Sequence, residues 1–346
     1  MSDPRIEAPR PLSTRLLAFA ALTLCSIALA VGYLIVRQAR SVQPGPDRPP
    51  APVAQSLDVL GGRPGVLFSS AAFDTTNGYL AVRELDGSED RRYRTELRCE
   101  RVHFAAGTGV CVTAHRGVAT KYSVELFGPD LKVRYTRPLQ GIPSRARVSP
   151  DGRHAAVTVF VSGDSYNASS FSTRTTLIDT ATGQAIADLE EFAVTREGRS
   201  FKAVDFNYWG VTFARDGNVF FATLRTGGTN YLIEGNVASR TARVLRAGIE
   251  CPSLSPDGTR LVFKHRVTPS TWRLHVLDLA SLSDTALAET RSVDDQPEWI
   301  DNDSIAYMLP NSETGGGSVD IWTLSLKSPE PARVLVPRAF SPAIVR

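Results

Sequence analysis

Short runs of alternating apolar and polar residues fill most of this chain, set apart by turn-forming clusters, which is the period-2 signature of strands. "CPSLSPDGTRLVF", Cys251 to Phe263, is the clearest example: a strand, a tight turn and a second strand. Pro256 presets φ for the second position of a type I turn, Asp257 suits the third, and Gly258 closes the hairpin in the left-handed region. Copies follow along the chain. "RVSPDGRHAAV" runs from Arg147, "TFARDGNVFFA" from Thr212 and "EWIDNDSIAYM" from Glu298, with a degraded "VHFAAGTGVCV" from Val102. Their turns, at 107, 151, 216, 257 and 302, lie 44, 65, 41 and 45 residues apart. A unit of about 40–45 residues holding several short strands is the period of a propeller blade. The single long spacing requires an insertion of roughly twenty residues on that repeat length.

Each copy predicts four strands, A to D. "RARVS", "AAVTVFV", "TRTTLID" and "QAIADLE" form one blade, and "QPEWI", "SIAYMLP", "VDIWTLS" and "ARVLVP" form the last complete one. The chain ends supply complementary remainders. "GVLFSS", "YLAVREL" and "YRTELR" are three strands without an A, and "FSPAIVR", Phe340 to Arg346, is an A strand without a sequel. Joined, they complete a sixth blade and remove the open sheet edges. The expected fold is all-β: a six-bladed β-propeller closed by the C-terminal strand, preceded by one transmembrane helix and a Pro-rich linker.

Leu16 to Val36, "LLAFAALTLCSIALAVGYLIV", carries no charge over 21 residues, about 31 Å of helix, which matches a bilayer core. A cleaved signal peptide is the competing reading, with Ala28-Leu29-Ala30 as the site, but apolar chain continues to Val36 without a polar cleavage region. Cys25 follows Leu24 in mid-segment, unlike a lipoprotein cysteine. "SVQPGPDRPPAPVAQS", Ser41 to Ser56, holds five prolines and reads as a semi-rigid stalk. The expected organisation is a short cytoplasmic N-terminus over 1–15, a signal anchor over 16–36, the linker over 37–59 and the propeller over 60–346. Flanking arginines balance, so charge leaves the orientation open. A short N-terminus before the helix and a large domain after it favour a single-pass cell-membrane protein with an extracytoplasmic propeller.

Composition narrows the function classes. Net charge is +3, and the arginines and acids before residue 56 account for all of it. A neutral domain offers no basic stripe for nucleic acid. Cys99 and Cys111 flank the turn at Gly107 on opposite hairpin strands and are a disulfide candidate, with two buried thiols as the alternative. A bridge would indicate an oxidising compartment.

The "SPDGTRLVF" and "SPDGRHAAV" copies resemble the TolB-type six-bladed propeller repeat over about residues 60 to 346. The longer run from "WGVTFARDGNVFFATLRTGG" to "FSPAIVR" looks like the membrane-anchored "TolB-like translocation protein" family, whose name reflects fold. The resemblance implies a propeller; it does not imply an activity, since propellers host many. TolB carries an N-terminal α/β domain where this chain has its apolar segment and stalk, so TolB's partners do not carry over.

Catalytic signatures are missing from the sequence. The five histidines form no HExxH, no CxxC occurs, and P-loop, dinucleotide and GxSxG patterns are absent. We therefore expect no metal, no cofactor and no catalytic residue; Ser165 in "GDSYN" reads as loop surface, and the four tryptophans read as blade packing. The A–B turns are tight, whereas the B–C and D–A connections are long: "SSAAFDTTNG", "SGDSYNASSFS", "PNSETGGGS" and "EFAVTREGRSFKAVDFNY". Long connections on a rigid scaffold are where binding usually resides. The starts of the A strands lie at the same face and carry Asp205, Asn207, Trp209, Glu250, Asp294, Asp295 and Gln296, with Arg145 and Arg338 on other blades. The expected function is non-catalytic binding of a protein or peptide partner through the long-loop face. Two alternatives remain: a hydrolase or lyase acting on a polymer with carboxylates at the channel mouth, and a small-ligand sensor. Solvated loop charge is the bland reading of the same residues. Strand parity further predicts that the stalk joins the propeller on its tight-turn side.

Overall fold

The computed structural model describes residues 14–41, 51–72, 74–87, 91–117, 119–161, 172–311, 318–328 and 330–346. The connections around Ser165 and Asn167, most of "PNSETGGGS", and the stalk from 42 to 50 lie outside the described residues.

Six sheets form a closed ring, each with strands ordered A to D from the axis outward. Blade I takes its A strand from the C-terminus, Ala339–Val345, followed by Gly65–Ser70, Tyr79–Glu84 and Tyr93–Arg98. Gly65 pairs with Val345 and Val66 with Ile344, antiparallel, which is the closure that the end remainders predict. Blade II is Arg101–Ala105, Thr108–His115, Lys121–Phe127 and Val133–Leu139; blade III is Ile142–Val148, His154–Val161, Ser172–Asp179 and Ala185–Asp188. Blade IV has Asn207–Phe213, Val219–Thr226, Thr229–Asn236 and Thr241–Ala247. Blade V has Glu250–Leu254, Arg260–Thr268, Thr271–Asp278 and Asp284–Ala286, and blade VI has Glu298–Trp299, Ser304–Pro310, Val319–Ser325 and Arg333–Val336. Strand B is buried on both faces, because the blades stack face to face; Val66, Leu67 and Phe68 are successive residues with no exposed surface. Such strands read as continuous apolar runs, not as alternation.

The recurring turn earns its residue types. Ser255 Oγ accepts from Arg260 N at 3.0 Å, and Asp257 accepts from Thr259 N at 3.0 Å and from Ser255 Oγ. Ser149 and Asp151 repeat these bonds in blade III. The Ser255 hydroxyl first, then Thr259, pulls the Asp257 carboxyl down to about 2.

One expectation is corrected. "EFAVTREGRSFKAVDFNY" is not a free loop on the long-loop face. Ala193–Arg196 adds in parallel to strand D of blade IV, and Arg199–Ser200 folds back on it, giving a six-stranded sheet. The extra hairpin covers what would be an open outer edge. Phe192 and Val194 anchor it by packing in the same core as Leu189, Tyr208 and Phe220.

Cys99 and Cys111 form a disulfide with a Cα–Cα distance of 5.2 Å, while Cys251 is a buried free thiol. The N-terminal helix, Thr14–Ser41, is a separate unit; its window Leu16–Tyr33 has a mean hydropathy of 2.2 and is long and apolar enough to cross a membrane. Thr23 and Ser26 hydroxyls donate to the carbonyls of Phe19 and Leu22 at 2.9 Å, so neither leaves an unsatisfied donor on the apolar surface.

Candidate functional site

The A strands converge on a central channel, and their residues set its chemistry. At the long-loop mouth, blade V presents a charge network. Glu250 is 3% exposed and accepts from Asn230 Nδ2 at 2.7 Å, Arg266 Nε at 2.8 Å and Trp272 Nε1 at 3.2 Å. Lys264, equally buried, bonds Asp294, and both Lys264 Nζ and the Arg266 guanidinium lie over the Trp272 ring, at 4.5 and 5.0 Å. Burial works against ionisation of Asp294, but Lys264 outweighs it and holds the carboxyl below its ordinary range.

The other mouth residues have separate roles. Asp205 accepts from Thr226 Oγ1 and Gly227 N; those bonds hold its pKa down and tie it to the B–C turn of its own blade. Asn207 accepts from Thr173 N at 2.8 Å, stitching blade IV to blade III, and Trp209 is buried. Asp295 accepts from Met308 N at 3.0 Å. Thus Glu250 and Asp294 meet in one network, Asp295 and Gln296 face the channel, Asn207 is committed to the seam between blades III and IV, and Asp205 to the B–C turn of blade IV.

Gln296, just before strand A of blade VI, reaches two other blades. Its Nε2 donates to Val211 O at 3.1 Å and Pro252 O at 2.8 Å, carbonyls at equivalent places in blades IV and V. Those carbonyls turn inward because the A strands bulge there, at Gly210 (φ 67) and Cys251 (φ 48). Blade I has the same feature at Ser341 (φ 53).

Deeper in, Arg147 Nη1 bonds Glu298 Oε2, and His103 Nε2 lies 3.4 Å from Glu298 Oε1. His103 Nδ1 accepts from Val148 N at 3.0 Å, so that nitrogen is unprotonated. Burial lowers the His103 pKa despite Glu298, keeping the ring neutral at pH 7; burial alone would raise that of Glu298, but Arg147 and His103 bring it down to about 2. This group is the wall between two spaces. On the mouth side is a cavity of about 30 Å³ lined by Arg101, Arg145, Asp295 and Ser341 among others. On the tight-turn side is a vestibule of about 520 Å³ with walls that include Phe104, Val148, Phe213, Leu254, Trp299 and Ile344. Among the described residues no cluster of three or more His, Cys, Asp or Glu is arranged to hold a metal.

Sequence reasoning passed over His103, Arg147 and Glu298. The available signal was positional: His103, Arg147, Thr212, Ser253 and Glu298 hold the equivalent inward position of their copies, and three of the five are ionisable side chains in otherwise largely apolar half-strands.

No protein-family model and no curated protein matches the chain. Solved structures do. TolB from Acinetobacter baumannii superposes with a TM-score of 0.55 at 14% identity, covering 82% of this chain and 67% of that one. Putative TolB from Agrobacterium tumefaciens gives 0.51 at 11% identity, with 81% and 91% covered. The fold is the TolB-type six-bladed propeller. A chain of the nidogen/laminin complex matches this TolB-type ring equally well, with a TM-score of 0.52 at 11% identity over 81% of this chain and 98% of that one. At these identities the likeness to TolB is one of architecture, and function rests on the site itself.

Proposed function

We propose that this chain is a non-catalytic, membrane-anchored propeller, held outside the cytoplasm, that binds a protein or peptide partner through its long-loop face. The observation that carries the reading is the mouth of blade V. A half-buried Trp272 packs against both Lys264 and Arg266, with Glu250 and Asp294 completing a network fixed before any partner arrives. A rigid tryptophan flanked by arginine on a closed scaffold has the character of an interface hot spot, with little conformational entropy left to lose. The apolar helix supports anchoring, and the Cys99–Cys111 bridge supports an oxidising compartment. An acid–base enzyme has less support, because Asp205 and Asp294 are each engaged by a neighbour.

The test is site-specific photo-cross-linking of the full chain in cells, with the probe at Asp294 on one face and Asp257 on the other. Asp294 should capture a defined polypeptide, and Trp272→Ala should abolish its co-purification. Capture from Asp257 alone would overturn the face assignment. Labelling of Ser56→Cys in intact cells tests the topology; labelling only after lysis would put the domain in the cytoplasm. Turnover of a polymer lost in Asp294→Asn would replace binding by catalysis. The vestibule favours a second reading, a small-ligand sensor, because about 520 Å³ falls in the range of ligand pockets; thermal shift against ligand sets addresses it.

A further inference from the structure

The small cavity in the neck of the channel has a charge imbalance. Arg101 Nε and Arg145 Nη1 both donate to one acceptor, the Ser144 carbonyl, at 2.7 and 2.9 Å. Arg101 Nη1 takes a second carbonyl, that of Glu100, at 2.8 Å. Backbone oxygens thus position these guanidiniums without neutralising them, and neither makes an ion pair among the described residues. Arg145 Nε is buried with no hydrogen-bond partner, and so is Arg147 Nε. Three arginines, 101, 145 and 147, line the cavity against two carboxylates, Asp295 and Glu298, with His103 neutral. One positive charge is left over. Asp294, the next acid, is bound by Lys264 and does not line the cavity. Arg101 and Arg145 are half-buried; arginine cannot shed its proton to relieve such a site, and an uncompensated charge in a partly dehydrated neck carries part of the cost of a buried one. Burial first, and Arg145 second, push the Arg101 pKa down to about 10, whereas at Arg145 burial is outweighed by Cys251, Asp295 and Asp294, which hold its pKa up, so the unshared charge falls mainly on Arg101.

We infer that the channel neck between Arg101 and Arg145 binds one singly charged anion, either a halide or a carboxylate group. The charge count sets the valence. The volume sets the size: about 30 Å³ admits two or three water-sized species at roughly 10–15 Å³ each, room for a halide or one carboxylate group but not for a phosphate ester or sugar acid. The anion would complete the axis, joining blades II and III through the arginines where Gln296 joins blades IV, V and VI through carbonyls. This inference is independent of which face binds a partner.

The test is thermal unfolding of the full chain in detergent, titrated with sodium chloride or sodium acetate. Ionic strength is held constant with sodium 2-(N-morpholino)ethanesulfonate, whose anion is too large for the cavity. A saturable rise in Tm of about 5 °C is expected, on the order of occupancy at a hundred times Kd. It should vanish in Arg101→Gln and in Arg145→Gln. A stronger response to acetate assigns a carboxylate as the occupant, and a stronger response to chloride a free halide. A Tm that follows ionic strength alone, or an increment that survives both substitutions, overturns the site. Should either variant fail to fold, bromide-soaked crystals of the unmodified chain decide: an anomalous peak between the two guanidiniums supports it, and bromide confined to the solvent-exposed surface refutes it.

Discussion

Glu298 is the residue whose removal should say most about the channel. It is 8% exposed, bonds Arg147 and stands 3.4 Å from His103. Glu298→Ala leaves the Arg147 guanidinium buried opposite a neutral imidazole, and breaking a buried pair from one side costs about 3–5 kcal/mol. For a domain of this size that is a fall in Tm of about 10 °C. The double variant Arg147→Met/Glu298→Met removes both charges and keeps most of the volume, so it should cost far less than the single change. Acid should mimic the single change. The folded Glu298 carboxyl titrates at about 2 against an ordinary 4.5, so its contribution is complete above about pH 4.5 and is lost as pH falls towards 2, about 3 kcal/mol in all. His103 adds to this in the same direction. Its lowered pKa means that the unfolded chain takes up a proton first, so stability begins to decline below about pH 6.5. Urea unfolding of the full chain in detergent, at pH 7 and across the acid range, measures both effects. If the double variant is as unstable as Glu298→Ala, or if Glu298→Ala costs under about 1 kcal/mol, the triad is not the buried ion group described above.

Three further outcomes are expected. Deleting Phe340–Arg346 removes the A strand of blade I, including buried Ile344 and Val345 at about 2 kcal/mol each and the ladder besides; an unchanged Tm would refute closure. Gly210→Ala should cost at least about 2 kcal/mol, because an added Cβ would lie 2.7 Å from Cys251 Cα at a φ of 67°. Gly248→Ala, with a φ of 87° and nothing within 4 Å, should cost about half as much; equal penalties measured by urea unfolding would mean that the blade IV–blade V approach is not tight. Cys99→Ser/Cys111→Ser should lower stability by about 2–3 kcal/mol for so short a loop, with no difference from the parent chain once both are measured under reducing conditions.

Much of the architecture was legible in the sequence because its signals are local. The Ser-Pro-Asp-Gly turns declare themselves through bonds spanning five residues or fewer, as between Ser255 and Arg260, and the alternation on either side needs no knowledge of the ring. "RLVFKHR" and "VDIWTLS" therefore fall on observed strands. Ala193–Arg196 escaped, since its four residues join strand D of blade IV in parallel from 48 positions away, Ala193 facing Thr241. Asp205 looked like an available carboxylate, and only the fold reveals that Thr226 and Gly227 hold it.

By itself, then, the sequence determined the repeat, the strands, the end-to-end closure and an apolar helix, all of which follow from short-range periodicity and from counting strands. The tertiary structure alone decided which charges meet. Every blade delivers the equivalent position of its A strand to the axis, so His103, Arg147 and Glu298 become neighbours although 151 residues separate the latter two. A repeat makes those positions interchangeable along the chain, and only the order of blades around the ring turns them into an ion pair beside a neutral imidazole, a carbonyl bridge and a neck with one positive charge to spare.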